Sequence, residues 1–183
     1  MKLNNFFRII NTRGLNTAAK PQIKTNFTPT IESSVLAQEI HHHLSCNNED
    51  LDVMAKYYFD GQGKSVRPAV TMTMASAVNS HLGVTCDQVS GLQKQIAMIG
   101  EMFHTSSLLH DDVIDRAESR RGKTSICSKW NQSKSIHSGV YILGVSKMML
   151  AQTGNAEVIS SMSQILTDLV CGEFQQMSAK YDS

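Results

Sequence analysis

Between residues 88 and 115, apolar and small side chains return every three or four positions: Leu92, Ile96, Ile99, Met102, Phe103, Ser106 and Leu109. That period is helical, and a run of this length at that period rules out a strand. A long rod with an apolar stripe must bury the stripe against other elements, so it constrains the whole chain. Asp87 stands where it can cap this helix. Residues 31–44, 49–59, 67–81, 134–152 and 155–180 carry the same periodicity, and Pro68 suits the first turn of the third of these helices. "DGQGK" at 60–64 reads as a glycine turn and "AESRRGKTS" at 117–125 as a loop. Only three prolines occur in 183 residues, so the helical runs stay unbroken, and no strand alternation lasts long enough to compete. The expected class is all-α, a helix bundle in one domain.

The formal net charge of +1 excludes the basic stripe of a typical nucleic-acid binder. It conceals an asymmetry. Lys2, Arg8, Arg13, Lys20 and Lys24 precede the first acid, Glu32. Five of the 17 basic residues therefore lie in the opening segment, and the remainder holds 12 against 16 acids, a net −4. Leu3, Phe6, Phe7 and Ile10 fall at helical spacing in that segment. Residues 1–30 read as a mitochondrial transit peptide, against the alternative of a basic tail with no address. The stretch "SGVYILGVSKMML" is too short to span a bilayer, and Lys147 interrupts it, so no transmembrane segment is expected. Cys46, Cys86, Cys127 and Cys171 share no metal or redox spacing and are expected to be buried, reduced thiols.

The long helix ends in "HDDVID". Asp111 and Asp115 lie one turn apart on a face that also carries Leu108, His104 and Glu101, whereas Asp112 points about 100° away. Acids at a helix C-terminus oppose the macrodipole, so their clustering calls for a compensating ligand. Two carboxylates at i and i+4 suit a hard divalent cation, and Mg²⁺ takes few protein carboxylates together with substrate phosphates and water. Arg120 and Arg121 follow directly, and guanidinium forks bind phosphate oxygens. Lys64 and Arg67 form a second basic pair after a glycine turn. Two basic pairs flanking an acidic site imply a substrate system with two phosphorylated parts. His41, His42 and His43 diverge around a helix and are expected on a solvated face.

"YYFDGQGKSVRP", "EMFHTSSLLHDDVID" and "SRRGK", in this order, resemble the trans-isoprenyl diphosphate synthases, and in particular the long-chain polyprenyl type of ubiquinone side-chain synthesis. The resemblance covers roughly residues 50–180. It implies an all-α isoprenoid-synthase bundle of antiparallel helices around a deep cavity. It also implies Mg²⁺ held at Asp111 and Asp115, with Asp112 part of the catalytic motif. Lys64, Arg67, His104 and Arg121 would hold isopentenyl diphosphate, and Arg120 would hold an allylic diphosphate. Ser106 and Ser107, five and four residues before the first aspartate, would line the path of the growing chain, and their small size favours a long product. Gly172, Glu173 and Gln176 resemble a polar patch facing the cavity, with an ordinary exposed helix surface as the equal alternative.

Two departures accompany the resemblance. The family's second aspartate-rich motif does not occur in these 183 residues, so residues 31–183 are expected to be the N-terminal part of the synthase domain, truncated after about half of the fold. Val140 follows Gly139 where the family has an aspartate. The competing reading is a non-catalytic helical partner or regulator of a full-length synthase subunit, within a homo- or hetero-oligomer. A plain structural bundle leaves the clustered charges unexplained, and a terpene cyclase has no need of the second basic pair.

Overall fold

A computed structural model describes residues 33–61, 65–84 and 90–181 of the chain. The leader, Lys64, Cys86 and Asp87 lie outside the described residues. The elements are α1 (Ser33–Leu44), α2 (Glu49–Lys56), α3 (Val66–His81), α4 (Gly91–Ile114), β1 (Ser119–Arg120), β2 (Lys123–Thr124), α5 (Ile126–Lys129), α6 (Gln132–Gln152) and α7 (Ala156–Tyr181). The helices stand where the periodicity places them, within a few residues.

Helix α4 is the centre of the bundle. Ser90 caps it: its side chain accepts from the Gln93 N–H, while the Gln93 side chain returns to the Ser90 N–H in a reciprocal capping box. Ile99, Met102 and Leu109 are fully buried along its stripe and meet Ile40, Leu44, Met54, Ile142 and Met149 from the neighbouring helices. Leu92 departs from the expected stripe at 55 % exposure, because it lies in the first turn, before α4 meets the core.

The most extensive helix pairing joins α4 to α6, and small residues allow it. Ser135, Ser138, Gly139 and Ser146 of α6 are buried, with Ser106 on the α4 side. The Ser106 hydroxyl donates to the Gly139 carbonyl at 2.8 Å, and Ser135 donates to the Leu109 carbonyl at 3.2 Å. Buried hydroxyls are tolerated here because each finds a carbonyl. Val140, next to that contact, faces outward at 55 % exposure.

The segment read as a loop at 117–125 contains a short antiparallel hairpin, in which Ser119 faces Thr124 and Arg120 faces Lys123. Two-residue strands are too short to show an alternating pattern, so periodicity alone does not reveal them. The cysteines also depart from expectation. Cys46 and Cys127 are half-buried and Cys171 is exposed, all three as free thiols. His42 and His43 are exposed as expected, but His41 is half-buried, because α1 packs its inner face on the core. Among the described residues, no helix is long and apolar enough to cross a membrane.

Candidate active site

The acidic end of α4 stops in a well-defined way. The Arg116 N–H reaches the Val113 carbonyl at 3.4 Å and the Ala117 N–H reaches the Asp112 carbonyl at 2.9 Å. With Arg116 at φ 49°, this is a Schellman ending in which arginine holds the left-handed position usually given to glycine. The termination leaves Asp115 as the C-cap of the helix, one turn beyond Asp111.

Asp111 and Asp115 line one cavity of about 190 Å³, together with Ile114, Arg120, Glu173, Gln176 and Met177. The α7 residues Glu173 and Gln176, which the sequence leaves undecided, thus stand at the acidic site. Gly172 is exposed. Burial pushes the Asp111 carboxyl above its usual range, and the neighbouring Glu173 adds to the effect while Arg120 opposes it. Crowded carboxylates of this kind are relieved by a cation. Among the described residues, no three of His, Cys, Asp and Glu gather to hold an ion by themselves. Two carboxylates on one wall form the sparse set that fits Mg²⁺ when phosphate and water complete its shell.

Asp112 turns the other way. It is 1 % exposed, and both its oxygens are engaged. Oδ1 accepts from Arg120 Nε at 2.8 Å and lies 2.6 Å from Nη2, while the Tyr58 hydroxyl donates to Oδ2 at 3.1 Å. Asp112 is therefore an internal counter-ion, and of the three aspartates Asp111 and Asp115 line the cavity. Arg120 divides its guanidinium between this pair and the cavity rim. The bond to Asp112 raises its already high pKa further.

Arg121 and Gly122 form the hairpin turn with φ 52° and 77°. Positive φ at both central positions is the pattern of a type I′ turn, where Asn-Gly is the usual choice. An arginine held there is strained, by about 1–3 kcal/mol. The hairpin is held in place from outside. The Tyr57 hydroxyl donates to the Thr124 carbonyl at 3.0 Å, Lys123 pairs with Asp60, and Lys123 and Lys129 both lie over the Tyr57 ring.

A second charged cluster lies further back along α4. Arg121 Nη2 is 3.8 Å from Glu101 Oε1, while Glu101 Oε2 is buried with no hydrogen-bond partner. Burial raises the Glu101 carboxyl above its usual range, and Arg121 and Arg67 offset part of that rise. His104 is pushed down to about 4, first by burial and then by Arg67, Arg121 and Arg120. Positive charge from Arg67 and Arg121 is concentrated beside His104, with a smaller contribution from Arg120. The structure thus joins Arg67, His104 and Arg121, and adds Glu101 as their unassigned counter-ion. The sequence places Glu101 on the His104 face but carries no signal of its role.

An apolar cavity of about 240 Å³ adjoins the acidic one. Asp111, Ile114, Glu173 and Met177 line both. The apolar cavity continues past Ser106, Ser107 and His110 to Phe103, Leu143, Leu166 and Phe174. An acidic pocket thus opens onto one end of an apolar channel, and a second charged cluster lies further back along the same face of α4.

The family described as Polyprenyl synthetase matches residues 48–183. The chain is 43% identical over 145 residues to the all-trans-polyprenyl-diphosphate synthase of Homo sapiens, a match covering 79% of this chain and 35% of that protein. It is 35% identical over 158 residues to the mitochondrial solanesyl-diphosphate synthase 1 of Oryza sativa, covering 80% of this chain and 37% of that one. The heptaprenyl diphosphate synthase structure from Staphylococcus aureus superposes with a TM-score of 0.72 at 28% identity, covering 80% of this chain and 44% of that one. The chain thus spans little more than a third of the length of these curated relatives.

Proposed function

This chain belongs to the polyprenyl synthetase family, and from that membership we propose that it carries the two diphosphate sites of a mitochondrial synthase making a long all-trans polyprenyl diphosphate for the ubiquinone side chain. The observation that supports this most is the shared wall. Asp111 stands where the acidic cavity and the apolar cavity meet, so a diphosphate head and a hydrocarbon tail can be held at once.

In this reading, an allylic diphosphate lies against Asp111, Asp115 and Arg120, with its tail running past Ser107. Isopentenyl diphosphate takes the Arg67, His104 and Arg121 cluster, with Lys64 beside it in sequence. Asp111 and Asp115 would hold Mg²⁺, which would supply positive charge to the leaving diphosphate. Arg120 supplies a fixed positive charge to the same group. The allylic C–O bond breaks with its electron pair leaving on diphosphate. The isopentenyl double bond then attacks the allylic carbon to form the new C–C bond. A proton leaves the adjacent carbon to the departed diphosphate, and the alkene is restored. The apolar channel excludes water that would otherwise capture the cation.

Calorimetry with dimethylallyl diphosphate, with and without Mg²⁺, tests the reading. Mg²⁺-dependent binding that Asp111→Asn abolishes is expected. Binding indifferent to both metal and Asp111 would overturn it. The second reading, a non-catalytic helical partner of a synthase subunit, draws on the exposed apolar side chain Ile165 of α7 and on Val170 and Phe174, which line the apolar cavity yet remain exposed. It requires that the chain alter the turnover of such a subunit even as the Asp111→Asn variant.

A further inference from the structure

We propose that Tyr58 is a positioning residue that sets the Arg120 guanidinium at the rim of the acidic cavity by fixing the Asp112 carboxylate. The ligand assigned to that cavity rests on the function proposed above, but the positioning itself does not.

Tyr58 follows α2 and is 7 % exposed. Its hydroxyl has a complete set of partners. It donates to Asp112 Oδ2 at 3.1 Å and accepts from the Ile126 N–H at 3.3 Å. One oxygen atom thus ties together the chain after α2, the acidic end of α4 and the first residue of α5. Asp112 can rotate its carboxylate in only two directions. Arg120 holds Oδ1 and Tyr58 holds Oδ2, so both are blocked. Without the hydroxyl, Oδ2 is left buried and unpaired, and the carboxylate is driven to turn toward its remaining cation. Arg120 must then follow, because two of its nitrogens lie on the same Asp112 oxygen.

The consequence is directional. Arg120 lines the cavity with Asp111 and Asp115, so a turn of its guanidinium changes the charge presented there. Arg67 and His104 are not held through Asp112, so the second anion site should be indifferent. A generally loosened core would instead weaken both sites. Tyr141 provides the control. It also gives a hydroxyl across the bundle, to the Leu44 carbonyl at 3.2 Å, but touches neither site.

The experiment uses the full chain carrying Tyr58→Phe or Tyr141→Phe, and follows the Arg120 side-chain Nε–H by nuclear magnetic resonance. Removing one buried hydrogen bond, here from Tyr58, is expected to speed Arg120 Nε–H exchange by about ten-fold. It should also weaken Mg²⁺-dependent dimethylallyl diphosphate binding by a similar factor and leave isopentenyl diphosphate binding unchanged. Tyr141→Phe should change none of these. An Arg120 signal that ignores Tyr58→Phe overturns the proposal, as does equal weakening of both ligands or the same response from Tyr141→Phe. If the wild-type chain binds no diphosphate, the cavity reading fails, and the Arg120 signal still decides the role of Tyr58. If Tyr58→Phe does not fold, incorporation of 3-fluorotyrosine keeps the hydroxyl as a stronger donor and must shift the Arg120 resonance, and an unmoved resonance overturns the proposal.

Discussion

The ring of His110 occupies the space that any side chain at residue 139 would need. A Cβ built on Gly139 falls 2.5 Å from His110 Nε2 and 2.9 Å from Cδ2. The glycine is there for close approach between α4 and α6, and the same backbone accepts the Ser106 hydroxyl. Gly139→Ala should push the ring toward the apolar cavity that it helps to line. The expected cost is about 1–3 kcal/mol, as for other overpacked sites, measured by denaturant unfolding. A stability unchanged within error would show that the ring moves freely.

Arg120 and Arg121 should respond differently to mutation although they are adjacent. Arg120→Ala leaves Asp112 buried without its cation, and such losses run to about 3–5 kcal/mol. Arg121→Asn relieves the strained turn position but removes a cation beside the buried Glu101, so the two effects oppose and the net change should stay within about 1 kcal/mol. Its diphosphate affinity should nevertheless fall. Thermal melts of both variants, with isopentenyl diphosphate titrations of the second, check this. Equal melting temperatures for the two variants would contradict the counter-ion role of Asp112.

His104 should make stability fall on acidification. Its pKa is about 4 in the fold against 6.5 when unperturbed, so the unfolded chain binds more protons between those values. The stability it contributes is complete above pH 6.5 and is lost as pH drops toward 4. Glu101 acts in the opposite sense, since its raised pKa makes the fold bind its proton more tightly and lowers stability as pH rises through the folded value. In a pH series of denaturant midpoints, His104→Gln should flatten the slope between pH 4 and 6.5 and Glu101→Gln should steepen it. A diphosphate seated among Arg67, Arg121 and His104 should raise the His104 pKa, so binding near pH 6 should take up protons. Calorimetry in buffers of different ionisation enthalpy reads that uptake directly.

The two serines of the channel are not equivalent. Ser106 is 3 % exposed at the α4–α6 crossing and gives its proton to Gly139. Ser107 is half-buried, donates to the His104 carbonyl of its own helix at 2.9 Å, and faces the apolar cavity. Ser106→Phe should unfold the chain. Ser107→Phe should fold, fill part of the cavity and shorten the longest prenyl tail that binds. Binding of dimethylallyl, geranyl and farnesyl diphosphates across the series measures the cut-off, and an unchanged cut-off would remove Ser107 from the wall.

The helices, and the pairing of Asp111 with Asp115 on one face, follow from the amino-acid sequence alone, because helical period is a local property and three or four residues reveal it. The same reasoning places Ser106 in the buried stripe and sets Asp112 off the Asp111 face. Only the tertiary structure decides what each of these groups does. Asp112 becomes an internal counter-ion because Tyr58, 54 residues earlier, and Arg120 close over both its oxygens. Glu173 joins the acidic cavity because α7 passes over the end of α4, and Glu101 acquires its cations because a strained two-residue turn aims Arg121 back along that helix. Periodicity records which way a side chain points from its own backbone. Whether that direction ends in water, in a cation or in another carboxylate depends on how distant segments dock, and the charge and burial of each group are set at that contact.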